Sequence, residues 1–172
     1  MTTPAGLVVL AEARWPEEGD GDPPTLPGFV VSSFSPLVAA VADRCLTRRY
    51  GQRPAPVDPG ERTAVVLASA AGDRVSADHV RRAVADGGRL GPLFFFQSVP
   101  NSVAGHVATR WGLRGPVVCL APTGDPRAEA LDSADLLLHD GDADEALLVL
   151  IEQGHDGTAD QAAALLVTRK EA

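Results

Sequence analysis

The stretch from residue 101 to residue 120 decides the fold of this chain. It reads Asn101-Ser-Val-Ala-Gly-His-Val-Ala-Thr-Arg-Trp-Gly-Leu-Arg-Gly-Pro-Val-Val-Cys-Leu120. Its apolar residues first recur every four positions, as on a buried helix face, and then form a short apolar run typical of a buried strand. Gly112 is placed to end the helix, and Gly115-Pro116 makes a corner before the strand. The stretch therefore predicts a helix, a corner and a strand at Val117–Leu120.

Composition favours one globular α/β domain spanning residues 1–172. The chain has 45% hydrophobic but only 5% aromatic residues, so its core is built from small branched side chains. Its net charge of −8 repels phosphate backbones and anionic lipids, so we expect neither nucleic acid nor membrane as a partner. No apolar run approaches the roughly 20 residues of a membrane span, and the N-terminus lacks the basic flank of a signal peptide. A cytoplasmic protein is expected.

Apolar runs and helical patterns alternate along the whole chain, which predicts a sheet covered by helices. Residues 29–33 fit either a short strand or a loop. Helices are predicted to begin at Ser35-Pro36, at Ser76 with an apolar face turned inward (Ala77, Val80, Ala83 and Val84), before Val103, and after Pro126. Buried strands are predicted at Leu7–Ala11, Thr63–Ser69, Val117–Leu120, Glu145–Ile151 and Ala162–Thr168.

Four segments together resemble the β-ketoacyl synthases. The opening stretch is similar to the family's segment that leads into its nucleophilic cysteine. Arg62–Gly72, Gly141–Val149 and Ala162–Val167 resemble three of its strands, and all four occur in the family's order. The resemblance implies an α/β fold with a mixed sheet covered by helices, equivalent to the N-terminal half of the thiolase-like fold.

The resemblance stops at the reactive groups. The family's cysteine follows the Gly-Pro corner by about eight residues, a position held here by Gly124 or Asp125. Neither side chain can attack a thioester. The sequence also ends where the family's second half, with its two active-site histidines, would begin. Some relatives lack the nucleophile, among them the chain-length-factor type and a ketosynthase N-terminal-like group with Gly-Asp near that position, and Thr123-Gly-Asp125 is more similar to the second group.

Two cysteines and a histidine are the remaining candidates for thioester chemistry. Cys119 lies in the strand after the corner, where it is either a packed apolar residue or a nucleophile. A nucleophile would need a lowered thiol pKa and solvent access, with His106 or His139 nearby in sequence to assist. Cys45 falls on the buried face of the first helix. His106 fits a half-exposed helix position as well as a catalytic one.

Asp125 and the aromatic run Phe94, Phe95 and Phe96 each have two interpretations. Asp125 stands at the start of a helix, where a carboxylate caps exposed amides, although it could also act as a general base. The three phenylalanines form either part of the core or the wall of an acyl pocket or partner surface.

The sequence predicts no cofactor and no metal ion. Residues 139–145 alternate aspartates as a calcium loop does, but the positions for the turn glycine and the final glutamate hold Glu145 and Ile151. A solvated acidic turn is the better interpretation. No glycine-rich phosphate loop is present.

Oligomerisation is expected, because a single thiolase-like half leaves an apolar face uncovered and because Val117, Val118, Cys119 and Leu120 would form an open strand edge. A second ketosynthase-like subunit is the first choice of partner and a homodimer the second. An acyl carrier protein is a further partner, with Arg110 and Arg114 beside the corner to meet its acidic surface.

The sequence therefore predicts a non-catalytic accessory subunit in bacterial polyketide or fatty-acid-type biosynthesis. The alternative is an enzyme of altered chemistry on an acyl thioester, using Asp125, His106 or Cys119. A third interpretation is a structural module that never meets an acyl chain.

Overall fold

The computed structural model describes residues 6–155 and 157–170 and contains one mixed five-stranded sheet with helices on both faces. The expected α/β architecture is confirmed. The strands are β1 (Leu7–Trp15), β2 (Thr63–Ala68), β3 (Val117–Leu120), β4 (Glu145–Glu152) and β5 (Gln161–Arg169). The helices are α1 (Phe34–Tyr50), α2 (Val57–Glu61), α3 (Arg74–Ala85), α4 (Pro92–Ser98), α5 (Pro100–Trp111) and α6 (Pro126–His139).

The strand order is β1-β5-β4-β2-β3, which leaves β1 and β3 at the two edges. Strands β2, β3 and β4 run parallel to one another, while β5 is antiparallel to both β4 and β1. The parallel strands are joined through helices, as crossover connections require. Since β2 and β3 are adjacent and parallel, the loops that follow them meet at one edge of the sheet.

Two hydrophobic cores lie on opposite faces of the sheet. Helices α1 and α5 cover one face, where Trp111 and Leu37 pack against alternate residues of β2, β4 and β5. Helix α6 covers the other, where Leu131 packs against the intervening residues, such as Val66 and Leu148. The strict alternation follows from the two-residue period of a strand. None of the helices in the described part of the chain is long and apolar enough to cross a membrane.

The Gly-Pro corner lies directly against the start of β2. The Gly115 amide donates to the Thr63 carbonyl at 3.1 Å, and the Pro116 carbonyl accepts from the Val65 amide at 2.8 Å. A Cβ on residue 115 would lie 2.5 Å from that Thr63 oxygen, so only glycine fits. The corner therefore sets the register of β3 against β2.

Several local predictions are wrong. Helix α1 begins at Phe34 rather than at Ser35-Pro36, whereas residues 29–33 form a loop, one of their two predicted alternatives. Helix α3 is capped by Asp73, whose carboxylate accepts from the Ser76 amide at 3.0 Å, and not by Ser76. The apolar side of α3 is only partly buried: Ala77 and Val84 are exposed, and Ser76 is the one buried residue of the helix.

Candidate functional site

A cavity of about 310 Å³ opens where β2 and β3 end. Ligands of open α/β sheets bind at this edge, beyond the carboxyl ends of parallel strands. Its walls are mainly apolar, and it is within the size range of small-molecule sites. The lining residues are Phe34, Leu67, Ser69, Ala70, Ala71, Gly72, Pro100, Cys119, Leu120 and Ala121.

Cys119 contributes the one thiol of this cavity. Its Sγ–H donates to the Asn101 Oδ1 at 2.9 Å, and burial among neighbouring atoms raises the pKa of the thiol. Among the residues that the structure describes, no histidine lines the cavity. A thiol with a raised pKa and no adjacent base stays protonated near neutral pH and is a poor nucleophile. These contacts do not favour a nucleophile, but Cys119 is exposed and not packed in the core, so the packed interpretation is wrong as well.

In the turn between β3 and α6, where the resemblance predicts the missing nucleophile, several backbone amides are bound by the chain's own carboxylates. Glu129 accepts from the Gly124 amide at 2.6 Å and from the Thr123 amide at 3.1 Å. Asp125 accepts from the Ala128 amide at 2.8 Å and so acts as the N-cap of α6. Backbone amides of this kind could otherwise stabilise an oxyanion. The turn holds neither a nucleophile nor free amides at these three positions.

A cysteine restored at position 124 is expected to react slowly. A Cβ there would lie 3.1 Å from the Glu129 Oε1, and a carboxylate so close raises the pKa of a thiol. We expect Gly124→Cys to be alkylated by iodoacetamide at pH 7 about tenfold more slowly than Gly124→Cys/Glu129→Gln, because about one pKa unit separates the two thiols.

Both variants are measured in a Cys119→Ala background, because the exposed Cys119 thiol would otherwise also be alkylated. Cys45 does not interfere: burial raises the pKa of its thiol to about 12. Equal alkylation rates in the two variants would contradict the assigned contact between residue 124 and Glu129.

His106 does not line the cavity that contains Cys119. It is half-buried on α5, in edge contact with the Phe29 ring at 6.3 Å, and it lines a separate cavity of about 260 Å³ beside Trp111. The structure therefore does not bring His106 into the cavity that holds Cys119.

The aromatic run forms helix α4 and is divided between two environments. Phe94 is 9% exposed and packs against the His79 ring at 4.9 Å. Phe95 and Phe96 are 65% and 63% exposed and touch each other edge to face. None of the three rings lines the cavity at the ends of β2 and β3. An acyl-facing role for them stays a prediction.

Strand β3 presents an open hydrogen-bonding edge. The Pro116 and Leu120 carbonyls are directed at β2, where they accept from the Val65 and Ser69 amides. Because backbone direction alternates along a strand, the amides of Val117 and Cys119 point away from β2. β3 is paired on one side only. Within the described part of the chain, no strand pairs with this outer edge of β3, so the edge can accept a strand from another molecule.

The acidic turn after α6 is ion-paired. Asp144 accepts from Arg62 at 2.6 Å, which holds the pKa of that carboxyl below its usual range. His139 contacts Arg169. Residues 6–155 and 157–170 contain no group of three His, Cys, Asp or Glu side chains that could hold a metal ion.

Two carboxylates of this region were missed by sequence reasoning. Glu129 follows the helix start at Asp125 by four residues, and an acid in the first turn of a helix is a recognised capping signal. That signal could have identified it. Glu152, which accepts from the Ala70 amide at 2.5 Å, is 82 residues from its partner and carries no local signal.

These features agree with the sequence comparisons. The profile of the β-ketoacyl synthase N-terminal domain matches residues 31–163, which is more than half of the chain. The chain belongs to this family. No curated protein matches it.

Solved ketosynthase structures share the fold. The ketosynthase ApeO in complex with its chain length factor ApeC, from Xenorhabdus doucetiae, matches with a TM-score of 0.68 and 22% identity over 87% of this chain and 64% of that one. The ishigamide ketosynthase/chain length factor matches with a TM-score of 0.71 and 18% identity, over 95% of this chain and 62% of that one. A type II polyketide ketosynthase AntDE, in complex with its acyl-carrier protein AntF, gives a TM-score of 0.63 and 16% identity, over 81% and 48%. The chain thus spans less than two thirds of each matched chain.

Proposed function

We propose that this protein is a non-catalytic ketosynthase-like subunit that acts in the cytoplasm, in polyketide or fatty-acid-type biosynthesis. The observation that carries the proposal is the turn after β3. There the Glu129 carboxylate accepts from the amides of Thr123 and Gly124, and the resemblance assigns the nucleophile position to Gly124 or Asp125. A site filled by the chain's own carboxylate is poorly suited to stabilise a thioester oxyanion.

The partner is a second ketosynthase-like subunit, bound through the open edge of β3. Unpaired apolar strand edges add strands from other chains. Helix α4 supports this arrangement, since Leu93, Phe95 and Phe96 are 75%, 65% and 63% exposed and exposed apolar patches of this kind mark interaction sites. The two rings would then face the partner or the acyl chain it carries. ApeO and AntDE, which share the fold, are described with a chain length factor and an acyl-carrier protein respectively.

Val117→Pro tests this pairing. Proline removes the outward amide of β3 without touching a bond to β2, because edge strands tolerate proline on their open side. We expect the dissociation constant for a co-expressed type II ketosynthase to rise about tenfold or more. The substitution removes at least one interchain hydrogen bond, and the proline ring also crowds the partner strand. Analytical ultracentrifugation of the mixed subunits measures it.

Val117→Thr is the matched control, since it keeps the amide and the β-branched shape. It should pair as the wild type does. Self-association that Val117→Pro disperses would assign the edge to a homodimer. A chain that stays monomeric with every ketosynthase offered, or pairing that ignores Val117→Pro, would overturn the proposed interface.

A further inference from the structure

The end of β4 is bonded to the loop that follows β2. The Glu152 carboxylate accepts from two consecutive backbone amides, those of Ala70 at 2.5 Å and Ala71 at 3.4 Å. Hydrogen bonds to a charged acceptor are about twice as strong as neutral ones. Glu152 therefore fixes the position of this loop more firmly than the loop's own contacts, in which the Gly72 amide donates to the Ser69 hydroxyl at 3.0 Å.

The next residue, Gln153, holds the segments on both sides of that loop. Its side-chain oxygen accepts from the Val75 amide at 3.3 Å, at the start of α3. Its side-chain nitrogen donates to the Ser32 and Ser33 hydroxyls at 2.9 and 3.1 Å, just before α1. Gln153 is 6% exposed. Because both polar ends of this buried amide are hydrogen-bonded, a substitution that removes these bonds destabilises the fold.

Both sets of contacts end at the wall of the cavity beside β3. Residues 69–72, which Glu152 holds, form one part of the wall. Phe34, which directly follows Ser33, forms another. The two residues at the end of β4 thus contact segments that form two of the cavity's walls, although neither Glu152 nor Gln153 lines the cavity itself.

We propose that Glu152 and Gln153 are positioning residues that set the width of this cavity and thereby the acyl chains it accepts. The acyl part rests on the proposed function. The positioning part rests on the contacts alone and can be tested on the isolated chain.

Amide exchange of the isolated chain tests the positioning. Glu152→Gln keeps the size of the side chain but replaces one acceptor oxygen with a donor, which cannot bind a second backbone amide. We expect the Ala70 and Ala71 amides to exchange about tenfold faster by NMR, the effect of one lost hydrogen bond on local opening. The amides of β2 should keep their rates.

Glu145→Gln is the matched control, with the same chemical change at the other end of the same strand. It should leave the Ala70 and Ala71 amides unchanged. If Glu152→Gln leaves them unchanged, or accelerates all amides to the same extent, the positioning role is wrong.

Acyl selectivity is measured separately, with hexanoyl- and decanoyl-pantetheine as probes of the chain in complex with a type II ketosynthase. We expect Glu152→Gln and Gln153→Ala to change the ratio of the two affinities by about threefold, since a looser wall no longer discriminates chain length. An unchanged ratio of affinities would contradict the proposed effect of Glu152 and Gln153 on acyl selectivity. A wild-type complex that binds neither probe would overturn the acyl part and the proposed function while the exchange result stands.

Discussion

Replacing Gly115 with alanine is expected to remove more than about 3 kcal/mol from the free energy of unfolding, the range of severe steric overpacking. The new Cβ would lie 2.5 Å from the Thr63 carbonyl oxygen and 2.8 Å from the Ala64 nitrogen. Both atoms belong to the backbone of β2, which is held on its other side by β4. Neither can move away without breaking the sheet. Guanidinium chloride unfolding, followed by far-ultraviolet circular dichroism, measures the loss.

Gly105→Ala is the control, with the same substitution in the same deciding stretch. Gly105 lies within α5, and its Cβ would meet no atom within 4 Å. Alanine there should stabilise the protein by up to about 1 kcal/mol, the difference in helix propensity. If Gly115→Ala unfolds at the wild-type midpoint, the corner does not pack against β2 and the edge position of β3 is wrong.

The second large effect is expected at Trp111. Its side chain is 1% exposed in the core between α1, α5 and the sheet, and its Nε1–H donates to the Asp43 carboxylate at 3.1 Å. Trp111→Ala should lower the free energy of unfolding by about 3–5 kcal/mol, because removal of the indole ring leaves a cavity in the core. The same denaturant titration measures it.

Trp111→Phe separates packing from hydrogen bonding. Phenylalanine keeps most of the buried ring but loses the donor, and we expect a loss of about 1 kcal/mol. Asp43 keeps an ion pair with Arg53 at 3.4 Å, so its carboxylate is not left unpartnered. Equal losses for the alanine and phenylalanine variants would show that the hydrogen bond, and not the ring, carries the effect.

The sequence predicted the deciding stretch well because its signals are local. The four-residue apolar repeat and Gly112 place α5 within a few residues, and the apolar run places β3 at Val117–Leu120. All five strands were found, but β3 is not buried as predicted, since its four residues are exposed or half-buried, and β1 extends to Trp15 beyond the predicted Ala11. That extension pairs with β5, and pairing across the chain has no local signal.

Helix α3 shows why amphipathic patterns mislead. Its apolar stripe predicts a buried face, yet Ala77 and Val84 are exposed, because periodicity marks which residues share a face and not whether another element covers it. In helix α4 the core interpretation of the three phenylalanines holds for Phe94 alone, since Phe95 and Phe96 are exposed. Both helices lie between β2 and β3 in the chain, and their exposed apolar side chains are available to the proposed partner.

By itself, the sequence determined the family and the order of the strands and of the helices α1, α3, α5 and α6. These depend on which residues are apolar and on how they are spaced along the chain. Only the tertiary structure decided that Glu129 accepts from amides of the turn after β3 and that Glu152 accepts from amides of the loop after β2. Each depends on which atoms lie within hydrogen-bond distance after folding, and for Glu152 and Ala70 those atoms are 82 residues apart.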